Sequence, residues 1–216
     1  LVEAVKAEGD SLGGIVWVKA NGLPAGIGEP IFDKVESRLG QMIFSIPAVK
    51  GIEFGSGFDG ARTRGSENND EFCFANDELC LANDEFCLAN DELCPANDEI
   101  GLANAEFCLM NAKFCFADEN TTENPQGISL ISNNCGGILG GITTGSELCF
   151  NVAIKPTPSI SKPQKTVNLK TKQNVLLSTK GRHDASVAIR AVPVIRAATA
   201  LVLYDLFIDY KENHNG

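Results

Sequence analysis

The residues best equipped for chemistry form one decapeptide near the C-terminus, Gly181-Arg182-His183-Asp184-Ala185-Ser186-Val187-Ala188-Ile189-Arg190. Two guanidiniums, an imidazole and a carboxylate stand together there at the mouth of an apolar stretch. A second polar stretch lies upstream, Lys155-Pro156-Thr157-Pro158-Ser159, and a Gly-rich one, Asn133 to Gly145, precedes it. Ammonium, hydroxyl and guanidinium donors hold anions through charge-assisted hydrogen bonds, and glycine lets main-chain amides approach closely. Together the three stretches read as the lining of an anion-holding site.

Local patterns suggest the elements that must carry these residues. Val2–Glu8 reads as a helix closed by Gly9. Ile15, Val16, Trp17 and Val18 form a β-rich run that ends at the Asn21-Gly22 turn signal. Closely spaced Pro and Gly from Pro24 to Pro30 make a loop. Helical spacing of Phe32, Val35, Leu39, Met42, Ile43 and Ile46 predicts a helix over 31–46, ended by Pro47. Ile52–Phe54, Ile128–Ile131 and Leu148–Ile154 read as strands. Pro156, Pro158 and Pro163 discourage regular structure just after the last of these. A final helix is expected to start at Pro193, with Val194, Ala197, Ala198, Leu201, Val202 and Leu206 on its apolar side.

Charge is distributed unevenly. Of the net charge of -10, all of the excess lies between Asn69 and Ala117, where eleven acids face one lysine. The remainder is neutral, which argues against nucleic acid as a partner, because phosphate recognition needs a basic surface. That acidic segment is seven tandem heptads, NDEFCFA through NAKFCFA, and it holds six of the eight cysteines. As a helix it would align Phe or Leu at position four with Ala at position seven, although Pro95 and Gly101 would interrupt it. Cysteines seven residues apart on a helix are separated by roughly 10 Å, too far for one metal ion or a disulfide between neighbours. No metal site is read there. The segment reads as an insertion in a surface loop, since such loops accept length cheaply. Cys135 and Cys149 read as small apolar fillers. The chain starts at Leu1 with no basic, apolar leader, so a processed or truncated cytoplasmic chain is expected, with its thiols reduced. No apolar run approaches the roughly 20 residues that span a bilayer, so no membrane is expected as a partner.

Several blocks carry a family resemblance, and in the family's order. Ser45-Ile46-Pro47-Ala48-Val49-Lys50-Gly51-Ile52-Glu53-Phe54-Gly55, the Gly136–Gly145 stretch, Lys155-Pro156-Thr157-Pro158-Ser159-Ile160 and Gly181-Arg182-His183-Asp184 resemble successive blocks of chorismate synthase. Pro24–Pro30, Phe32-Asp33-Lys34 and Arg190-Ala191-Val192-Pro193 extend the match over nearly everything outside the heptads. The resemblance implies an α+β fold, the family's β-α-β sandwich, incomplete because the N-terminal half is absent. Residues 1–216 would be the C-terminal part of a single domain, with 69–117 as a low-complexity insertion within it. It also implies a lyase of the shikimate pathway. That lyase converts 5-enolpyruvylshikimate 3-phosphate to chorismate and phosphate by 1,4-anti elimination. Its cofactor is reduced FMN, with NADPH as a possible source of the flavin's electrons, and its assembly is a homotetramer.

Carried over by position, Ala48, Gly140, Lys155, Thr157, Ser159 and Arg182 would contact the flavin. Pro156 and Pro158 would hold that block extended, and Asp184 would help with the proton taken from substrate. Three departures stand out. Asn133-Asn134-Cys135 replaces Asn-His-Ala, Ala185-Ser186 replaces Pro-Cys, and Arg196 replaces a Glu. The family's two catalytic histidines and several substrate-binding arginines belong to the absent half, so the chain alone is expected to be inactive. The competing expectation is a non-catalytic relic whose acidic repeat is an interaction or cation-binding arm.

Overall fold

The computed structural model describes residues 1–74, 106–107, 111–113, 128–181 and 183–214. The expectations for the middle of the repeat and for Arg182 lie outside the described residues.

Three antiparallel strands carry the fold: β1 (Gly14–Asn21), β2 (Val49–Phe54) and β9 (Leu148–Ile154), with β9 in the middle. Alternation in β1 and β9 sends Val16, Val18, Ala20, Leu148, Phe150, Val152 and Ile154 to one buried face. Register places Val16 opposite Val152, Val18 opposite Phe150 and Ala20 opposite Leu148. A one-residue slip would turn the whole apolar set outward, so burial of this face fixes the pairing.

Two helices cover that face. Helix α2 (Val35–Phe44) contributes Val35, Leu39 and Ile43 at helical spacing, all fully buried. It begins four residues after the expected start. Ile31 takes a φ of 75°, outside the helical region, and Phe32 is exposed. The Val35 amide donates instead to Gly141 O at 3.0 Å. The last helix, here α5, spans Ala188–His214 and packs Ile195, Val202, Leu203 and Leu206 inward. It therefore starts before Pro193, which lies inside it. Pro193 is the sixth residue of the helix, past the N-terminal amides that lack a partner, so the hydrogen bond to the Ile189 carbonyl is lost there.

Over Ala188–Asn213 this helix is, by length and composition, long and apolar enough to cross a membrane, a longer apolar stretch than the sequence reading allowed, and 50% of its most apolar window is buried inside the fold. Sheet and helices together make two packed layers around one core, an α+β arrangement.

The short elements hold loops in place. Helix α1 (Val2–Ala7) precedes β1, and single turns α3 (Gly57–Gly60) and α4 (Gly65–Asn68) follow β2. A small hairpin joins β7 (Ile138–Leu139) to β8 (Ile142–Thr143). A second hairpin, β10 (Gln164–Asn168) with β11 (Gln173–Leu177), follows the prolines and is exposed along both strands. It was not anticipated, because it buries no face and so shows no alternation.

Where the repeat is described it is extended, not helical. Phe72–Phe74 (β3) pairs antiparallel with β6 (Ile128–Leu130). Glu106–Phe107 (β4) and Asn111–Lys113 (β5) lie parallel along the outer edge of β1. Cys73 is disulfide-bonded. The expectation of reduced thiols does not hold for it, and the spacing argument, which concerned neighbouring copies on a helix, does not apply to the extended Phe72–Phe74.

Candidate functional site

Strand ends bring most of the expected residues together. Ala48 immediately precedes β2 with a φ of 74°. In that conformation its carbonyl accepts the Lys155 amide at 2.9 Å, just beyond the end of β9. Gly13 is required beside them. A Cβ there would sit 2.5 Å from Ile154 O and 3.1 Å from the Pro156 ring, so only hydrogen lets the chain before β1 run under this block. That segment is the hub of the region. Ser11 Oγ donates to Thr157 O at 2.7 Å, and the Leu12 amide donates to Ala185 O at 2.7 Å. Leu12 also forms an isolated bridge with Ser186. Two blocks far apart in sequence thus flank Ser11–Leu12. Neither Ser11 nor Gly13 was singled out by sequence, since only the distant partner gives either a role.

Around this hub Lys155 and Pro156 are exposed, while Thr157 and Ser159 are half-buried. Asp184 is held by Arg190 Nη1 at 2.6 Å, and His183 Nε2 lies 3.2 Å from Thr179 O. His183 is therefore engaged with its own loop. Thr157 Oγ1 and Ser186 Oγ are buried and find no hydrogen-bond partner among the described residues. A buried hydroxyl without a partner is costly, so each is a candidate position for a ligand group or an ordered water.

Gly140 stands elsewhere. It forms the turn between β7 and β8, with φ 62° and open space where a Cβ would be. Its neighbour Gly141 caps the start of α2, whereas Ala48 follows the end of α2. Those ten residues put about 15 Å of helix between the two positions. Pro158 is exposed beside Thr157, and Arg182 lies outside the described residues.

A carboxylate absent from the expectations organises the Gly-rich stretch. Asp70 accepts from Ser132 Oγ at 2.5 Å and from the amides of Asn134 at 2.7 Å and Cys135 at 2.8 Å. Burial opposes its charge, but donors from Cys135, Ser132 and Asn134 prevail and hold its carboxyl below the usual range. Burial, and then the contact with Asp70, push the Cys135 thiol up to about 11. It stays protonated at neutral pH and serves as packing, not as a nucleophile. Asp70 was hidden because it belongs to the first heptad and resembles every other repeat aspartate. Among the described residues, no group of three His, Cys, Asp or Glu side chains is placed to hold a metal ion.

A mixed sheet with helices on one face and polar loops gathered at the strand ends defines an α+β fold. The chorismate synthase family model matches residues 1–208. The chorismate synthase of Dehalococcoides mccartyi is 42% identical over 206 residues, covering 95% of this chain and 43% of that protein. That of Methanosarcina mazei is 40% identical over 204 residues, covering 94% of this chain and 42% of its own length. A crystal structure of a chorismate synthase matches 97% of this chain and 41% of its own, with TM-score 0.57 and 25% identity. The chain belongs to the chorismate synthase family, and it spans about two fifths of the length of the relatives it matches.

Proposed function

We propose that this chain forms the flavin-side part of a lyase that converts 5-enolpyruvylshikimate 3-phosphate to chorismate and phosphate. The observation that carries this is the clustering of Ala48, Lys155, Thr157 and Asp184 around Ser11–Leu12, in a chain of this family. In the elimination a ring C–H proton leaves, the C–O bond to phosphate breaks and a second ring double bond forms. Reduced FMN, when bound, supplies the electron-rich partner for that bond breaking.

This chain's residues fit such a ligand. The unpartnered Thr157 hydroxyl, with Ser159 and the Lys155 ammonium, would hold an anionic group. Pro156 and Pro158 would keep their strand extended, and Gly140 would offer unhindered backbone at the β7–β8 turn. Arg182 would add a guanidinium. Asp184, oriented by Arg190, would take the substrate proton. The full-length protein would be a cytoplasmic homotetramer acting on a small molecule, with no role for nucleic acid or membrane. Residues 1–216 would be one part-domain with 69–117 as an insertion, and the 216 residues alone would not turn over.

The test joins this chain to the N-terminal portion of the Dehalococcoides protein and follows chorismate anaerobically with reduced FMN. Turnover is expected, and Asp184→Ala should lower kcat by about 100-fold or more, the usual scale of a lost general base. Thr157→Val should weaken reduced FMN by about tenfold, the effect of one lost anion contact. Turnover indifferent to Asp184→Ala, or none from a folded, flavin-binding chimera, would refute the assignment.

A further inference from the structure

Lys155–Ser159 carries prolines at 156 and 158, which have no amide to donate, so no β-ladder can hold that stretch in place. It is held instead by one short segment, Glu8–Gly13. Ser11 Oγ donates to Thr157 O at 2.7 Å. Just beyond the block, Gly9 O accepts the amides of Ser161 at 2.9 Å and Lys162 at 3.2 Å. Lys162 Nζ pairs with Asp10 at 2.8 Å and with Glu8 at 3.2 Å. Gly9 has a φ of 73°, and a Cβ there would lie 3.1 Å from Ser161 Cβ, so this close approach needs glycine.

Leu12 grips the opposite flank. Its amide donates to Ala185 O at 2.7 Å, and it bridges Ser186. The donor block and the loop that carries Asp184 thus take their relative position from one dipeptide. Three buried side-chain oxygens lack a hydrogen-bond partner among the described residues. Two of them, Thr157 Oγ1 and Ser186 Oγ, belong to residues that Ser11–Leu12 contact. Ser186 is only 6% exposed. With its carbonyl tied to Ser11, Thr157 is restrained from turning its backbone to bring the hydroxyl to another protein acceptor. That restraint keeps the hydroxyl available for a ligand.

We propose, resting on the flavin-side reading, that Ser11 is a positioning residue for that site. By holding the Thr157 carbonyl while Leu12 holds Ala185, it sets the Thr157 hydroxyl in register with the Asp184 loop. Ser11 touches no ligand itself; it acts through Thr157. The gain is preorganisation, since a donor already in place need not be ordered when the ligand arrives.

Hydrogen exchange on the ligand-free chain and binding of reduced FMN test this separately. In Ser11→Ala the amides of Leu12, Ser161 and Lys162 should exchange about fivefold faster, the scale of one lost hydrogen bond. Amides of β9 should keep the parent rate, which shows the fold intact. Reduced FMN, titrated anaerobically into the full chain, should bind about fivefold more weakly after Ser11→Ala. The same change should have less than about a twofold effect where Thr157→Val is already present. Beside Lys155→Gln it should keep its full effect, because the Lys155 amide is tied to Ala48 O and not to Ser11. Unchanged exchange of the three amides in Ser11→Ala would overturn the proposal. So would an affinity loss equally large with and without Thr157→Val, the mark of general loosening. A full chain whose exchange responds to Ser11→Ala but which binds no reduced FMN would instead refute the flavin reading, and the alignment by Ser11 would stand.

Discussion

Replacing Phe150 by Ala is expected to destabilise the chain by about 3–5 kcal/mol, the cost of emptying an aromatic site in a packed core. Phe150 is 2% exposed and lies on the central strand opposite Val18, with the Phe54 ring 5.4 Å away. Both neighbouring strands therefore lose a shared contact, and neither can move inward without breaking its ladder. For a chain of this size the loss should lower Tm by roughly 6–20 °C, readable by circular dichroism. Lys155 and Thr157 follow directly from the end of the same strand, so the flavin contacts proposed for them should weaken with the folded fraction. A Tm shift under about 2 °C would show that the sheet does not depend on this packing.

Asp70→Ala should cost about 2 kcal/mol at pH 7, because amides of Asn134 and Cys135 lose a charged acceptor. The site is partly open to water, which softens the penalty. Its pH dependence distinguishes this from a packing defect. The folded carboxyl titrates below its unfolded value, near 3.9, so its contribution is fully present above that pH and is lost as pH falls through the folded value. Urea midpoints of parent and variant should therefore differ at pH 7 and converge on acidification below about pH 4. A gap that persists in acid would mean the carboxylate charge is not what stabilises the loop.

The parts of the fold legible in sequence are those whose pattern reports burial. Strands β1 and β9 alternate because one face meets the helices, and Val35, Leu39 and Ile43 repeat at helical spacing because they meet the sheet. Ile31 and Phe32 mimic that spacing without being buried, which is why the helix was expected to begin too early. The β10–β11 hairpin, with no buried face, left no signal. A seven-residue repeat suits two turns of helix, yet seven is odd, so in a strand each copy inverts the alternation of the one before. Period alone therefore could not expose the strands at Phe72–Phe74 and Asn111–Lys113. Lys155, Thr157 and Asp184 were singled out through family blocks. Ser11, Gly13 and Asp70 were not, because each acts through a partner that only folding brings near.

The clasp formed by Phe72–Phe74 and Ile128–Leu130 has a hereditary consequence. Gain or loss of one whole heptad between Asn76 and Ala103 keeps the reading frame and leaves Asp70, both clasp strands and their register untouched. Slippage during DNA replication favours such changes in tandem sequence. Copy number can thus change between lineages as a length polymorphism without altering Asp70 or either strand of the clasp.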